Sequence, residues 1–172
     1  MFELNDEIFK TKMRNYYDTV FRTCMAYLQN SHDAEDITEE VFITYYYKSP
    51  DFENESLEKS WLLKVAVNKC KNLRKCFWKH QRDDDFDYST LKVYDNKDES
   101  VLGEIIAELP DKYRVLILLY YFEEYSLNEI SEILGVNVST CQTRLDRARK
   151  RIKEKLNNGK VEFLCLKADT KI

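Results

Sequence analysis

The stretch from Tyr125 to Lys153 limits the possible folds of this chain more than any other part of the sequence. Apolar residues recur there at helical spacing, and Gly135 then supplies a residue that easily adopts positive φ at a helix end. A second helix is predicted to begin at Ser139, with Gln142 three places later as its capping-box partner. The stretch therefore predicts two helices joined by a tight turn.

The second of these helices has an apolar face and a basic face. The apolar face consists of Cys141, Leu145, Ala148 and Ile152. The opposite face consists of Thr140, Arg144, Arg147 and Arg151. A recognition helix lies in the major groove of DNA, where such polar and basic side chains reach base edges and phosphates. The pattern predicts a DNA-binding helix-turn-helix, and a surface helical hairpin is the open alternative.

The rest of the chain also favours helices. Its 172 residues include only three glycines and two prolines, too few for the turns of a β architecture. Helical periodicity appears in 9–29, 33–47 and 57–79, with buried stripes that include Val20, Ile37 and Leu62, and is lost in 81–100. Asp33 is predicted to cap the second of these helices. We therefore predict an all-α protein of two small helical domains joined by a flexible acidic linker, with the helix-turn-helix in the second domain. The predicted divisions are a first domain at 1–80, the linker at 81–100, a second domain at 101–156 and a tail at 157–172.

The net charge of −4 at pH 7 conceals two basic blocks. Residues 61–82 hold seven basic and no acidic side chains, and residues 139–156 hold seven basic against two acidic. Residues 83–100, between them, hold seven acidic side chains against two basic. Since phosphate contact requires positive charge, the blocks predict one nucleic-acid contact in each domain. For the first block, a lysine-rich face that only keeps the domain soluble is an open alternative.

Several classes of protein are excluded by the same composition. Five cysteines without a CxxC pair favour a reduced, cytosolic compartment, and Cys70 lies too far around its helix from Cys76 and His80 to predict a metal site. Both histidines are isolated and there is no phosphate-binding glycine loop, so we expect neither an enzyme nor a cofactor. Apolar runs are too short to cross a bilayer, so we expect no membrane insertion.

The predicted second helix carries an acidic face. Asp36, Glu39 and Glu40 lie on it, with Phe42 and Ile43 nearby. On the residues alone this face is better interpreted as a solvated surface than as a docking site for a basic partner, because runs of charge are usually solvated.

Three motifs follow one another in a recognisable order. They are DAEDITEEVF at 33–42, WLLKVAVNKCKNLRK at 61–75, and the segment 109–152, which begins LPDKYRVLILLYY and contains the helix-turn-helix. Together they resemble the extracytoplasmic-function subfamily of bacterial sigma factors, and motifs in this order are far more specific than a helix-turn-helix alone. The resemblance implies a promoter-specificity subunit of RNA polymerase, not an enzyme by itself.

The resemblance also implies roles for particular side chains. Docking on the clamp helices of the largest polymerase subunit is assigned to Asp36, Glu39, Glu40 and Phe42. The minus-ten element is assigned to Asp51, Phe52, Asn54, Lys64, Asn68, Lys71, Arg74 and Lys75. The minus-thirty-five duplex is assigned to Ser139, Thr140, Gln142, Thr143, Arg144, Arg147 and Arg151. A basic face and a polar loop suit the minus-ten step, because one strand must leave the duplex there.

The implied partners are core RNA polymerase, contacted through its clamp helices and flap, promoter DNA, and an anti-sigma factor. Gln142 stands where the family frequently has lysine, so the promoter sequence cannot be inferred from relatives. A stand-alone helix-turn-helix regulator that binds operators is the main rival, but it leaves the Asp36 face and the first basic helix unexplained. A polymerase-binding adaptor that ignores DNA is disfavoured by the arginine-rich helix.

Overall fold

A computed structural model describes residues 6–80 and 97–156, and every regular element in these two ranges is a helix. The elements are α1 (Asp6–Leu28), α2 (Ser31–Lys48), α3 (Glu55–His80), α4 (Lys97–Ala107), α5 (Asp111–Ile117), a π-helix (Leu118–Phe122), α6 (Leu127–Leu134) and α7 (Val138–Leu156). The predicted all-α class is confirmed. Residues 97–100, predicted as linker, belong to α4, and the predictions for 81–96 and 157–172 lie outside the described residues.

The first domain consists of α1, α2 and α3, which pack against one another. Its core contains the predicted stripes, including Val20, Ile37 and Leu62, all at most 5% exposed. The start of α2 differs from the prediction, because the side chain of Asn30 caps the helix by accepting a hydrogen bond from the backbone N–H of Asp33. The predicted cap, Asp33, is therefore inside the first turn.

A buried carboxylate ties the three helices of this domain together. Glu58 of α3 is 6% exposed and accepts hydrogen bonds from Lys12 Nζ at 2.8 Å, Tyr16 OH at 2.9 Å and Tyr45 OH at 2.5 Å. Burial alone would raise the pKa of Glu58, but these donors together lower it below its ordinary value. The carboxylate is thus held ionised between α1, α2 and α3.

The second domain contains the predicted helix-turn-helix. Ser126 and Glu129 form a capping box at the start of α6, and Gly135 ends that helix with φ of 66°, as its position predicted. The capping box predicted at Ser139 and Gln142 is wrong, because α7 begins at Val138 and the Gln142 amide is bonded elsewhere. The predicted inner face of α7 is confirmed, since its four residues are at most 1% exposed.

A π-helix follows α5 and changes the direction in which the side chains after it point. Val115, Leu116 and Ile117 of α5 are completely buried, because α5 packs against α1 on one side and α7 on the other. In the π-helix, Tyr120 and Tyr121 lie next to α7. The apolar run near residue 117 is therefore explained by burial on several sides.

The two domains are in contact through α1 and α3 on one side and α5, the π-helix and α6 on the other. Arg114 of α5, 4% exposed, donates hydrogen bonds to the carbonyl oxygens of Ala26 and Tyr27 at the end of α1 and of Ala107 and Leu109 in its own domain. Carbonyls at a helix C-terminus carry partial negative charge, so they stabilise the guanidinium. Arg114 thereby joins the two domains.

Further polar contacts cross this interdomain interface. Gln29, in the left-handed region at φ of 53°, donates from Nε2 to the carbonyl of Ala107 at 2.6 Å. Glu123, whose side chain is 5% exposed, lies 3.0 Å from both Arg22 Nη2 and Lys59 Nζ. Its Oε1 atom, although close to Arg22, has no hydrogen bond of good geometry. The charge of Glu123 is therefore balanced by cations of the other domain.

Candidate nucleic-acid interface

The outer face of α7 presents most of the side chains predicted to contact duplex DNA. Ser139, Gln142, Thr143, Arg147 and Arg151 are exposed. The helix positions them because its opposite face is anchored in the core, which fixes its rotation about its axis. A row of polar and basic groups along one exposed helix face is suited to the major groove.

Two residues of the predicted set are partly covered. Thr140 and Arg144 are half-buried, and Arg144 lies near Lys71 of α3. Arg151 is exposed but its guanidinium lies over the Tyr113 ring, 5.1 Å from the ring centre. Among the predicted arginines, Arg147 is the one that projects from the middle of the exposed face.

The basic face of α3 is divided between solvent and the interdomain interface. Lys64, Asn68 and Lys75 are exposed. Lys71 is half-buried and donates to the carbonyl of Leu134 at the end of α6, whereas Arg74 forms an ion pair with Asp111 of α5. Two of the predicted minus-ten residues are therefore bonded to the second domain in this structure.

Positive charge accumulates around Lys71 of α3, which lies near Arg144 of α7. Burial lowers the pKa of Lys71, and the neighbouring cations Arg144 and Lys75 lower it further. Like charges brought together in this way attract anions such as phosphate. Basic residues of both domains thus contribute to one positive surface region.

The loop before α3 has local structural roles that the sequence did not indicate. Asn54 Oδ1 accepts a hydrogen bond from the backbone N–H of Leu57 at 2.9 Å, which caps the first turn of α3. Phe52 is half-buried and packs against Trp61, with 5.7 Å between ring centres. Asp51 is exposed. The loop is thereby held against the start of the basic helix.

The acidic face of α2 is exposed, but one predicted member does not belong to it. Asp36 and Glu39 are exposed, as is Glu40, which pairs with Lys69 at 2.9 Å. Phe42 is 2% exposed and stacks on Tyr17 with 6.2 Å between ring centres, so its assignment to the docking face is corrected to the core. Its place three residues before Tyr45 on the buried stripe could have indicated this.

Two exposed apolar residues lie on α2 in addition to those assigned to docking. Ile43 is 57% exposed and Tyr47 is 70% exposed. With Asp36 and Glu40 they are spaced by four, three and four residues, so the four side chains follow one face of the helix. Exposed apolar groups beside charges are typical of a protein-binding surface.

Comparison with known proteins gives the family. The model of sigma-70 region 2 matches residues 13–79, and that of sigma-70 region 4 matches residues 100–152. The sigma factor SigW of Bacillus subtilis, of the extracytoplasmic-function type, is 31% identical over 83% of this chain and 86% of its own length. SigV of Bacillus subtilis is 32% identical over 81% of this chain and 86% of its own length.

The chain belongs to the extracytoplasmic-function sigma factors. As such it is a transcription initiation factor, not an enzyme, and it directs core RNA polymerase to specific promoters. This decides against the operator-binding regulator as an interpretation of the helix-turn-helix.

Two solved structures have the fold of this sigma factor. RpoE of Bartonella quintana, solved with the anti-sigma factor NepR, gives a TM-score of 0.66 at 20% identity and covers 88% of this chain and 98% of its own. CnrH, solved with the cytosolic domain of CnrY, gives 0.64 at 18% identity and covers 91% of this chain and 92% of its own. Both support the all-α arrangement described above.

Two other kinds of site are absent from residues 6–80 and 97–156. No group of histidine, cysteine and carboxylate side chains there could hold a metal ion. None of the described helices is both long and apolar enough to span a membrane.

Proposed function

We propose that this sigma factor divides promoter recognition between its two domains, with residues 1–80 for polymerase docking and the minus-ten element and residues 101–156 for the minus-thirty-five element. The observation that carries the proposal is that each domain presents one helix with a basic face, α3 and α7, while α2 presents an acidic one. Faces of opposite charge on separate helices can serve two different partners at once.

The minus-ten element is proposed to bind along α3. Lys64, Asn68, Lys71 and Lys75 follow one side of the helix at intervals of four, three and four residues, and Arg74 lies beside them. Such a row can hold the backbone of a separated strand, and unstacking a base there costs a few kcal/mol that these contacts must offset. Asp51, Phe52 and Asn54 lie at the start of the same helix, where they border this path.

The minus-thirty-five element is proposed to bind α7 as duplex. Gln142, Thr143 and Arg147 are exposed near the middle of the face, where side chains reach base edges, and Ser139 and Arg151 lie towards its ends. Thr140 and Arg144 complete the set, and Arg144 becomes more accessible once the first domain moves away from it.

Docking on core polymerase is proposed for the exposed face of α2. Asp36, Glu39 and Glu40 provide negative charge for a basic partner, and Ile43 and Tyr47 add apolar area that is exposed to solvent. The polymerase flap is proposed as the partner of the second domain.

Function on a promoter requires the two domains to separate. The minus-ten and minus-thirty-five elements are about 25 base pairs apart, or roughly 85 Å of B-DNA at about 3.4 Å per base pair. In the present structure α3 and α6 are in contact, and Lys71 and Arg74 are bonded to the second domain. We therefore propose that the arrangement described here is a closed form, which opens when polymerase and promoter bind.

An anti-sigma factor is proposed as a regulatory partner, and the cytoplasm as the location. RpoE and CnrH share the fold, and they were solved in complex with the anti-sigma factor NepR and with the cytosolic domain of CnrY, respectively. Four described cysteines are free thiols, as expected in a reducing compartment.

Run-off transcription tests the proposed division. Core polymerase with this sigma factor should initiate at a subset of genomic promoter fragments, and core polymerase alone should not. If the protein never directs initiation but binds duplex DNA tightly by itself, the proposed division is wrong.

A further inference from the structure

A hydrogen bond on the exposed face of α7 joins two side chains four residues apart. Gln142 Nε2 donates to Asp146 Oδ1 at 3.0 Å, and both residues are exposed. A surface pair of this kind stabilises a helix only weakly. The hydrogen bond therefore matters more for the orientation of the Gln142 carboxamide than for the stability of the helix.

Asp146 is itself connected to the buried part of the domain. Its Oδ1 atom lies 3.8 Å from Arg149 Nη1. Arg149 Nε donates to the hydroxyl of Tyr121 at 2.7 Å, and the guanidinium lies 5.7 Å and 5.8 Å from the ring centres of Tyr120 and Tyr121. Tyr121 is only 9% exposed, so a fixed aromatic group of the π-helix holds the arginine that faces Asp146.

Arg149 remains a cation in this setting. Burial would lower the pKa of its guanidinium, but the hydrogen bond to Tyr121 and the charge of Asp146 raise it above its ordinary value. The side chains thus form a continuous series from the buried Tyr121 through Arg149 and Asp146 to Gln142.

The orientation of the carboxamide decides what Gln142 can recognise. An unrestrained glutamine can exchange the positions of its oxygen and nitrogen by rotation of the carboxamide. When the N–H that points away from the oxygen is donated to Asp146, the oxygen and the other N–H remain side by side. An acceptor and a donor placed in parallel match the N6 donor and N7 acceptor that adenine presents in the major groove.

The negative charge of Asp146 lowers the affinity of α7 for DNA. A carboxylate on the face that approaches phosphates repels them, so its presence weakens binding to every sequence equally. A contribution of Asp146 to promoter recognition must therefore come through selectivity.

We propose that Asp146 is a positioning residue that orients Gln142 to recognise one adenine of the minus-thirty-five element, and that Arg149 and Tyr121 hold Asp146 in place. The proposal rests on the function proposed above for α7. Asp146 itself contacts no base and acts only through Gln142.

The experiment uses holoenzyme and a pool of promoter fragments randomised across the minus-thirty-five element. Sequencing of the run-off transcripts gives the base preference at each position. The variants are Gln142→Ala, Asp146→Ala, Asp146→Asn and the double variant Gln142→Ala with Asp146→Ala. Glu154→Ala is the matched control, because it removes one negative charge from another exposed position of α7.

Gln142→Ala should abolish an adenine preference at one position, a loss of roughly 5- to 150-fold in discrimination. Asp146→Ala should reduce the preference at the same position several-fold, and the double variant should equal Gln142→Ala. Asp146→Asn should keep most of the preference, since its amide oxygen still accepts the hydrogen bond.

Three results would overturn the inference. One is that Asp146→Ala raises transcription equally from all sequences, as expected of Glu154→Ala, with base preferences unchanged. Another is that the variants at 142 and 146 alter different positions. The third is that wild-type holoenzyme initiates without any minus-thirty-five preference, which would also overturn the proposed role of α7; only in that case does the proposed function fail as well.

Discussion

Lys59→Ala tests whether the closed form restrains the sigma factor. Lys59 of the first domain pairs with Glu123 of the second at 3.0 Å, and it lies outside the residues proposed to bind DNA or polymerase. If opening must precede binding to core polymerase, weakening this contact should increase the fraction of open molecules. The apparent affinity for core polymerase should then rise, because it is scaled by the fraction that is competent to bind.

The size of the effect follows from the exposure of the two side chains. A hydrogen bond to a charged group contributes about 1.5–3 kcal/mol, but the side chain of Lys59 is 30% exposed, so solvent reduces the expected loss to about 1–2 kcal/mol. Arg22 continues to face Glu123, which limits the penalty for the remaining carboxylate. A change of 1–2 kcal/mol corresponds to roughly a 5- to 30-fold shift in the opening equilibrium.

Titration of core polymerase into fluorescently labelled sigma factor measures this shift. Lys10→Ala is the control, since it removes the same charge from an exposed position of α1. Glu123→Gln should also tighten binding, and the double variant should show less than the sum of the two effects because the residues act on one contact. Binding by Lys59→Ala that equals or is weaker than that by Lys10→Ala would refute the reasoning.

Three further outcomes are expected. Glu58→Gln should lower the free energy of unfolding at pH 7 by about 2–3 kcal/mol, because the glutamine amide puts an N–H donor where three other donors already point. Since the folded pKa of Glu58 lies below its ordinary value of 4.5, the difference from wild type should shrink below pH 4.5 in urea titrations; a constant difference would contradict this. Arg144→Ala should weaken recognition of the minus-thirty-five duplex by about 1–3 kcal/mol in binding assays if it contacts a base, and an unchanged sequence preference would exclude that contact. Asp36→Arg should reduce co-purification with core polymerase without changing thermal unfolding; undiminished co-purification would remove the α2 face from the docking proposal.

Helix positions and their buried faces could be predicted from the sequence because they depend on residues three or four places apart. The inner face of α7 and the left-handed Gly135 were obtained in this way. The motifs at 33–42, 61–75 and 109–152 were sufficient to indicate the family, since their order can be seen in the sequence without any knowledge of packing.

Side-chain competition for local hydrogen bonds limited the finer predictions. Asn30 rather than Asp33 caps α2, and the predicted capping box at Ser139 did not form, because neighbouring polar residues offer alternative partners. Phe42 was placed on an exposed face although it packs on Tyr17, since a residue at the edge of a buried stripe can be assigned to either side by spacing alone.

The sequence by itself determined the helices, the charges on their faces and the family. Tertiary structure alone decided which of those charges are free: it bonds Lys71 and Arg74 to the second domain and places Arg114 at the end of α1. Arg114 and Ala26 are 88 residues apart, a separation at which no periodic pattern carries information. Contacts of that range depend on how whole helices pack, and they hold the two helical domains together in this structure.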